Sequence, residues 1–279
     1  MVKKSLIKVF DNNETKDNLS GSAEIIDLEI DIDGEMIQFQ IGVTDGQMTL
    51  ADIVPLAHTV ADKIIDVTVA KIESNGSEIP CRRRCAACCS YLVPVSVPEA
   101  FWLLKEIFTG PNPQRRRMMW ACLLASRRIL KHQPPELFIS QKPQSLQGPA
   151  EAYLISNWYK NLKLQCPFLD NQICTIYQAR PLACKEHMVT GSARACKGEY
   201  EKAQVIEIPV PMTDVLAHLA AEIEETKPET VIMPLLLAWC DGNIERSHRT
   251  WPAAVMTDHF VNIINTIASQ NSASANRFC

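Results

Sequence analysis

The sequence predicts an α+β fold that is mostly α-helical: an N-terminal β-hairpin plus helix, a loop-rich cysteine-cluster core, and C-terminal helices. Three observations carry this expectation. Strict apolar–polar alternation occurs near the N terminus and flanks Asp33-Gly34. Helical spacing of apolar residues recurs along the rest of the chain. Between these stretches lie most of the 11 cysteines, among turn-forming residues. With 279 residues, 47% of them hydrophobic and 22% charged, the chain has the composition of an ordinary globular protein and can bury a core without disulfides.

Residues 1–22 are polar and read as a loosely held arm. Leu28, Ile30 and Ile32 then alternate with Glu29 and Asp31, and Ile37, Phe39, Ile41 and Val43 alternate with Gln38 and Gln40. The Asp-Gly pair between the runs suits a type I′ turn, so the two runs form a hairpin. A helix is expected from Leu50 to Lys71, because Ile53, Ala57, Val60, Ile64 and Val67 share a face, and Asn75-Gly76 ends it. Ser96-Val97-Pro98-Glu99 has capping-box form and starts a helix to about Phe108. Gly110-Pro111-Asn112-Pro113 breaks it, and a second helix runs from Gln114 to Lys131. Residues 133–149 carry Pro134, Pro135, Pro143 and Pro149 and read as a long loop, of a length that sometimes acts as a lid. A short helix at Ala150–Leu162 leads to the second cysteine group.

The remaining segment reads as helices at Thr213–Thr226, Glu229–Trp239 and Pro252–Ser269. The last has Thr250 as N-cap and a buried stripe of Val255, Met256, Phe260, Ile263, Ile264 and Ile267. Residues 270–279 read as a disordered tail. The chain thus divides into 1–80, 81–200, 201–269 and the tail.

The formal net charge of −4 is segregated. Residues 1–80 hold 6 basic and 15 acidic side chains, residues 81–200 hold 17 and 7, and residues 201–279 hold 5 and 10. An acidic frame around a basic middle accounts for this, and so does an anionic group held in the middle. The overall pI of about 5.9 disfavours a general nucleic-acid binder. The most apolar run, Val231 to Cys240, has ten residues and contains Pro234, against the roughly 20 needed to span a bilayer. No signal peptide is visible, so a cytoplasmic location with reduced thiols is expected, which points the cysteines towards metal or redox chemistry.

Eight cysteines fall into two groups: Cys81, Cys85, Cys88 and Cys89, then Cys166, Cys174, Cys184 and Cys196. A metal needs several thiolates within about 2.3 Å of one point, and ligands a few residues apart reach it from a tight turn. A second group far along the chain closes the sphere and ties metal binding to folding. Neighbouring side chains diverge, so Cys88 and Cys89 either face different centres or leave one thiol spare. Cys122 and Cys240 sit in apolar helical runs and read as core, and Cys279 as an exposed thiol. Thiolate sites suit zinc and iron–sulfur clusters alike. Cys166-Pro167 leans towards iron–sulfur, since proline follows a ligand cysteine in ferredoxin-type runs. Arg82, Arg83, Arg84 and Arg180 are candidates to offset thiolate charge, and His187 is a candidate ligand or proton donor beside the weaker Glu186. No Gly-rich phosphate loop, HExxH helix or GxSxG elbow is present.

Cys81-Arg82-Arg83-Arg84-Cys85-Ala86-Ala87-Cys88-Cys89, followed by Leu92-Val93-Pro94-Val95 and Glu99, resembles the first signature of the YkgJ-type cysteine-cluster proteins, the CxxCxxCC zinc- or iron-chelating family. Cys166-Pro167-Phe168-Leu169, Cys174-Thr175-Ile176-Tyr177, Arg180-Pro181 and Cys184 resemble the second. The likeness spans about residues 80–200, and Arg84 departs from it, standing where many members have glycine. It implies metal chelation by the signature cysteines and no single shared reaction. A flagellin lysine methylase is similar in this signature, which implies an enzyme role as the alternative.

Two readings follow. The first is a cytoplasmic protein that binds an iron–sulfur cluster or zinc through the eight cysteines, for redox, metal handling or scaffolding. The second is a metal-dependent enzyme acting on a protein or small molecule, with Cys89, His187 or Tyr177 near the chemistry. The partner is a protein or small molecule, with nucleic acid disfavoured and no membrane involved.

Overall fold

The computed structural model describes residues 5–10, 23–32, 34–109, 113–132, 149–197 and 204–275. Strands β1 (Ile7–Phe10), β2 (Ala23–Ile32) and β3 (Glu35–Thr44) form an antiparallel sheet in the order β1-β3-β2. The expected hairpin is β2–β3, with Ile32 opposite Glu35 and Leu28 opposite Phe39, and Gly34 takes φ +91° in the turn. Leu28, Ile30, Ile32, Ile37, Phe39, Ile41 and Val43 are all buried, as the alternation requires. The expected loose arm is corrected in part. Ile7–Phe10 pairs with Gln40–Val43 and covers the second edge of β3, which would otherwise stand open.

A two-residue strand β4 (Gln47–Met48) and a 3-10 turn (Leu50–Ile53) lead into α1 (Val54–Ser74). α1 buries the predicted face and ends at Asn75-Gly76, where Gly76 takes φ +81°. β5 (Pro94–Ser96) feeds α2 (Val97–Leu103), with Ser96 and Glu99 forming the expected capping box. The helix widens into a π turn at Leu104–Thr109. α3 (Arg115–Lys131) and α4 (Pro149–Asn161) follow, close to their predicted bounds. The expected lid loop lies outside the described residues, save Pro149, which opens α4.

The second cysteine group sits on short pieces: β6 (Leu169–Asp170), β7 (Ile173–Cys174), α5 (Leu182–Glu186), β8 (Val189–Thr190) and α6 (Ala193–Cys196), with β9 (Gln204–Val205) pairing β8. Then come α7 (Met212–Ile223), β10 (Thr230–Ile232), α8 (Leu236–Gly242), α9 (Ile244–Ser247), β11 (Trp251–Pro252) and α10 (Ala253–Ala275).

Four C-terminal expectations are corrected. The helix expected at Glu229–Trp239 begins as β10, antiparallel to β5, because Thr230, Val231 and Ile232 are β-branched and Pro234 disfavours helix before it. Thr250 does not cap the last helix: Trp251 pairs with Met48, and α10 starts at Ala253. Val255 is 43% exposed, while Ala253 completes the buried stripe with Met256, Phe260, Ile263 and Ile264. α10 also continues to Ala275, so the expected tail shrinks, and 276–279 lie outside the described residues.

α7 and α10 pack together, α10 lies on β2 and β3, and α1 and α2 pack on α7. The main buried apolar cluster draws Leu28, Ile64, Phe101, Phe168, Leu216 and Phe260 from all three predicted segments. No helix of the described residues is long and apolar enough to cross a membrane.

Candidate metal centre

The first cysteine group is held by consecutive reverse turns. The N–H of Cys85 donates to the Arg82 carbonyl (2.9 Å), that of Cys89 to Ala86 (3.2 Å), and that of Tyr91 to Cys88 (2.9 Å). The second group is locked onto the first by the Cys166 N–H, which donates to the Cys89 carbonyl at 2.7 Å. Cys174 stands in the β6–β7 hairpin, whose turn residues Asn171 and Gln172 take φ +47° and +65°. Cys184 lies on α5, and Cys196 closes α6.

The thiols crowd into two overlapping sets. Burial pushes the Cys88 thiol up to about 12, reinforced by repulsion from Cys89, Cys85, Cys81 and Cys196. Burial also raises Cys81 and Cys196, which feel Cys85 and, for Cys196, Cys81 as well. In the other set, burial raises Cys89 to about 11, with Cys174 the strongest thiol neighbour. Burial raises Cys166, with Cys89 and Cys174 adding to it, and raises Cys184 well above the ordinary thiol value, with Cys166, Cys88, Cys174 and Cys89 adding. Cys174 is raised by burial too. Cys81, Cys85 and Cys196 pack in one small cluster and Cys166 is tied to Cys89, but Cys88 is close to Cys89 and Cys184 as well as to Cys81, Cys85 and Cys196, and Cys89 to Cys85, so the two sets overlap. The sets meet at the Cys88-Cys89 peptide. Each set takes one residue from the other sequence group: Cys196 crosses to the first and Cys89 to the second.

The ten described cysteines are free of disulfides. Among the described residues, no group of three or more His, Cys, Asp or Glu is arranged to hold a metal ion. The chain therefore gathers the thiols without drawing them into a closed coordination sphere. Their donor chemistry nonetheless fits a thiolate-bound metal, since crowded, half-buried thiols can ionise together only beside a positive charge.

Arg180 supplies one such charge. Its guanidinium lies 4.5 Å from the Tyr177 ring, its Nε is buried without a hydrogen-bond partner, and it favours the thiolates of Cys81, Cys89 and Cys174. Arg83 approaches the same ring at 5.9 Å, and Arg82, Arg83 and Arg84 are exposed. Arg84 takes φ +76° at the third position of the turn closed by Cys85. A type II turn needs glycine there, which explains why glycine is expected at this site and why arginine strains it.

His187 is half-buried, not a surface residue. Its ring meets Tyr91 edge-on at 5.6 Å, burial lowers its pKa, and its Nε2 is buried without a partner. The Tyr91 hydroxyl donates to the Cys196 carbonyl. Glu186, weighed from sequence as a weak metal candidate, instead accepts from the Met212 N–H (2.5 Å) and Thr213 hydroxyl (2.8 Å) and so caps α7. Burial raises its pKa to about 7.

Glu99 does more than cap α2: its buried carboxylate also accepts from the Leu182 N–H of α5 at 2.7 Å. Glu99 and Glu186 thus tie the cysteine loops to the helical frame in opposite directions. Only the local half of Glu99's role has a sequence signal, the capping box. Lys185 pairs with Asp62 of α1 at 2.6 Å, and His58 of α1 packs on Trp102 at 5.0 Å; neither contact has a sequence signal. Cys122 and Cys240 are core, as expected, with the Cys240 thiol donating to the Ala100 carbonyl, and Cys279 lies outside the described residues. Tyr177, a candidate for chemistry, packs beneath Arg180.

A groove of about 900 Å³ beside Arg116 and Trp120, and smaller hollows of about 360 Å³ beside Lys71 and about 150 Å³ beside Trp102, include none of the eight cysteines. Comparison of the chain with protein-family models, curated proteins and solved structures found no match.

Proposed function

We propose that the chain is a cytoplasmic metal-binding protein that holds iron–sulfur, or else zinc, at its cysteine constellation for redox or metal-dependent chemistry. The observation that supports this best is the gathering of eight thiols, distant in sequence, into two overlapping neighbourhoods joined at Cys88-Cys89. Cys81, Cys85, Cys88 and Cys196 would hold one centre, and Cys89, Cys166, Cys174 and Cys184 the other. Cys166-Pro167 favours iron–sulfur over zinc, while the resemblance to YkgJ-type proteins and the charge of Arg180 suit either metal. When bound, iron–sulfur supplies one-electron transfer, and zinc a structural cross-link.

The chain's own residues contribute charge and protons. The raised thiols enter protonated, so loading must release protons to solvent and weakens as pH falls. Arg180 compensates the thiolates that form. A metal-dependent enzyme, methylase-like or otherwise, is the second reading. It is favoured by the unpartnered Nε2 of His187, set behind Tyr91 next to Cys196. Anaerobic purification with iron, zinc and labile-sulfide analysis tests the first reading: brown protein with iron and sulfide is expected, and colourless zinc protein would sink the iron–sulfur version.

A further inference from the structure

Helix α3 holds six basic residues and no acidic one between Arg115 and Lys131. Its inner face is the buried row Met118, Cys122, Ala125 and Ile129. Its outer face is not simply polar. Met119, Trp120, Leu123, Leu124 and Leu130 are between 40% and 60% exposed, and no other element of the described residues exposes more than two large apolar side chains. Arg117 pairs with Asp170, but Arg115, Arg116, Arg127, Arg128 and Lys131 form no ion pair among the described residues. Cations alone do not mark a site, since Arg82, Arg83 and Arg84 are exposed too. The apolar surface between the cations sets α3 apart: residues 81–92 expose no large apolar side chain.

The outer face is ordered along its length. Met119, Trp120, Leu123 and Leu124 meet through i, i+3 and i, i+4 spacing and form its centre. Arg115 and Arg116 lie one turn before them, and Arg127, Arg128 and Lys131 one to two turns after. The cationic ends, measured from Arg116 to Arg127, are about 16 Å apart along the axis. A groove of about 900 Å³ runs beside the centre, walled by Arg116, Met119, Trp120 and Leu123 of α3 and by Leu237 of α8.

We propose that this face is the docking site for an amphipathic helix of a partner protein, aliphatic along one side and acidic at both ends. Carboxylates three turns apart on that helix meet Arg115 and Arg116 at one end and Arg127 and Lys131 at the other. Four of the five exposed apolar side chains are aliphatic, which suits leucine-type partners better than stacked bases. A flat bilayer would leave the groove unfilled. A second copy laid α3 against α3 would oppose like charges. The groove includes none of the eight cysteines, so docking there needs no bound metal.

The test is fluorescence anisotropy of the full-length protein with a labelled helical peptide of about 18 residues, some five turns. The peptide carries leucines at i, i+3, i+4 and i+7 and glutamates in its first and last turns. Wild type should bind it and release it as salt rises. Trp120→Ser with Leu123→Ser, and separately Arg116→Glu with Arg127→Glu, should each weaken binding about tenfold or more. The milder Trp120→Ala and Arg127→Gln should weaken it in the same direction, which keeps a readout if a double variant fails to fold. R82E/R83E/R84E should bind as wild type does. No binding by wild type, equal binding of a peptide with the same residues scrambled, or an equal loss in R82E/R83E/R84E overturns the proposal. Binding that appears only after residues 134–147 are deleted assigns the groove to the chain itself and overturns it too. Trp120-dependent retention on phosphatidylglycerol vesicles or on a single-stranded oligonucleotide, tighter than on the peptide, assigns the face to lipid or nucleic acid. Trp120-dependent dimers in sedimentation assign it to a second copy, and each of these outcomes likewise overturns the proposal.

Discussion

Strands β2 and β3 and helices α1, α7 and α10 are held by an apolar core in which Leu28, Ile41, Ile64, Leu216 and Phe260 have no exposed surface. The cysteine-bearing stretches, 81–93 and 166–196, consist of reverse turns, two-residue strands and helices of four or five residues. Phe168, Ile176 and Leu182 anchor them to the main core, but their own buried cluster is only Ala87, Val189 and Cys196. Left-handed non-glycine residues lie at Arg84, Lys163, Asn171, Gln172 and Glu225, three of them inside these stretches. The frame is stabilised by what it excludes from water. The cysteine region has little to exclude and holds crowded thiols, and under the proposed function a bound metal would complete it.

The largest test of this contrast is metal removal. Structural thiolate sites are worth on the order of 10 kcal/mol. Chelation under reducing conditions should therefore abolish hydrogen-exchange protection in 81–93 and 166–196 and leave α7 and α10 protected. Equal loss in both regions would show one cooperative unit with no division of labour. In the frame, Phe260→Ala should cost about 3–5 kcal/mol in denaturant unfolding and leave metal content unchanged.

At the seam, Glu99→Ala strands the buried Leu182 N–H and the α2 cap, and should cost about 3 kcal/mol or more while loosening the cysteine region first. Glu99→Gln should recover part of that loss.

His58 lies on the same seam, and burial, aided by Lys185, lowers its pKa from 6.5 to about 4. A depressed base is neutral in the fold, so its contribution is fully present above pH 6.5 and is lost as pH falls through about 4. His58→Met should flatten that fall by on the order of 2–3 kcal/mol, measured as the wild-type minus variant difference in unfolding free energy from pH 7 to 4. An unchanged pH profile would remove His58 from the seam. The smallest effect belongs to Arg84→Gly, which should stabilise by about 1 kcal/mol by relieving the left-handed turn. Its change in exchange rates should stay within the cysteine region.

What was legible in the sequence was local and periodic. The β2–β3 hairpin, α1, α3 and the Ser96–Glu99 capping box each rest on contacts within a few residues, and they form where expected. β10 was hidden because Val231 to Cys240 is apolar at every spacing, and its pairing with β5 spans more than a hundred residues. β1 is four residues long and owes its order to the open edge of β3. The eight thiols are legible as residues but not as sets. Sequence order puts Cys196 with Cys184, yet the fold carries it to Cys81, and Cys89 to Cys166 and Cys174. The buried ties of Glu99 and Glu186 depend on tertiary approach and leave no pattern along the chain beyond one cap.

The central claim is that the eight cysteines act as metal ligands in two sets. Iron, zinc and sulfide content per chain, measured in anaerobically purified wild type, Cys85→Ser, Cys184→Ser and the core control Cys122→Ser, tests it most directly. Cys85→Ser should lose the centre of the first set, Cys184→Ser that of the second, and Cys122→Ser neither. Full metal content in both Cys85→Ser and Cys184→Ser would contradict it.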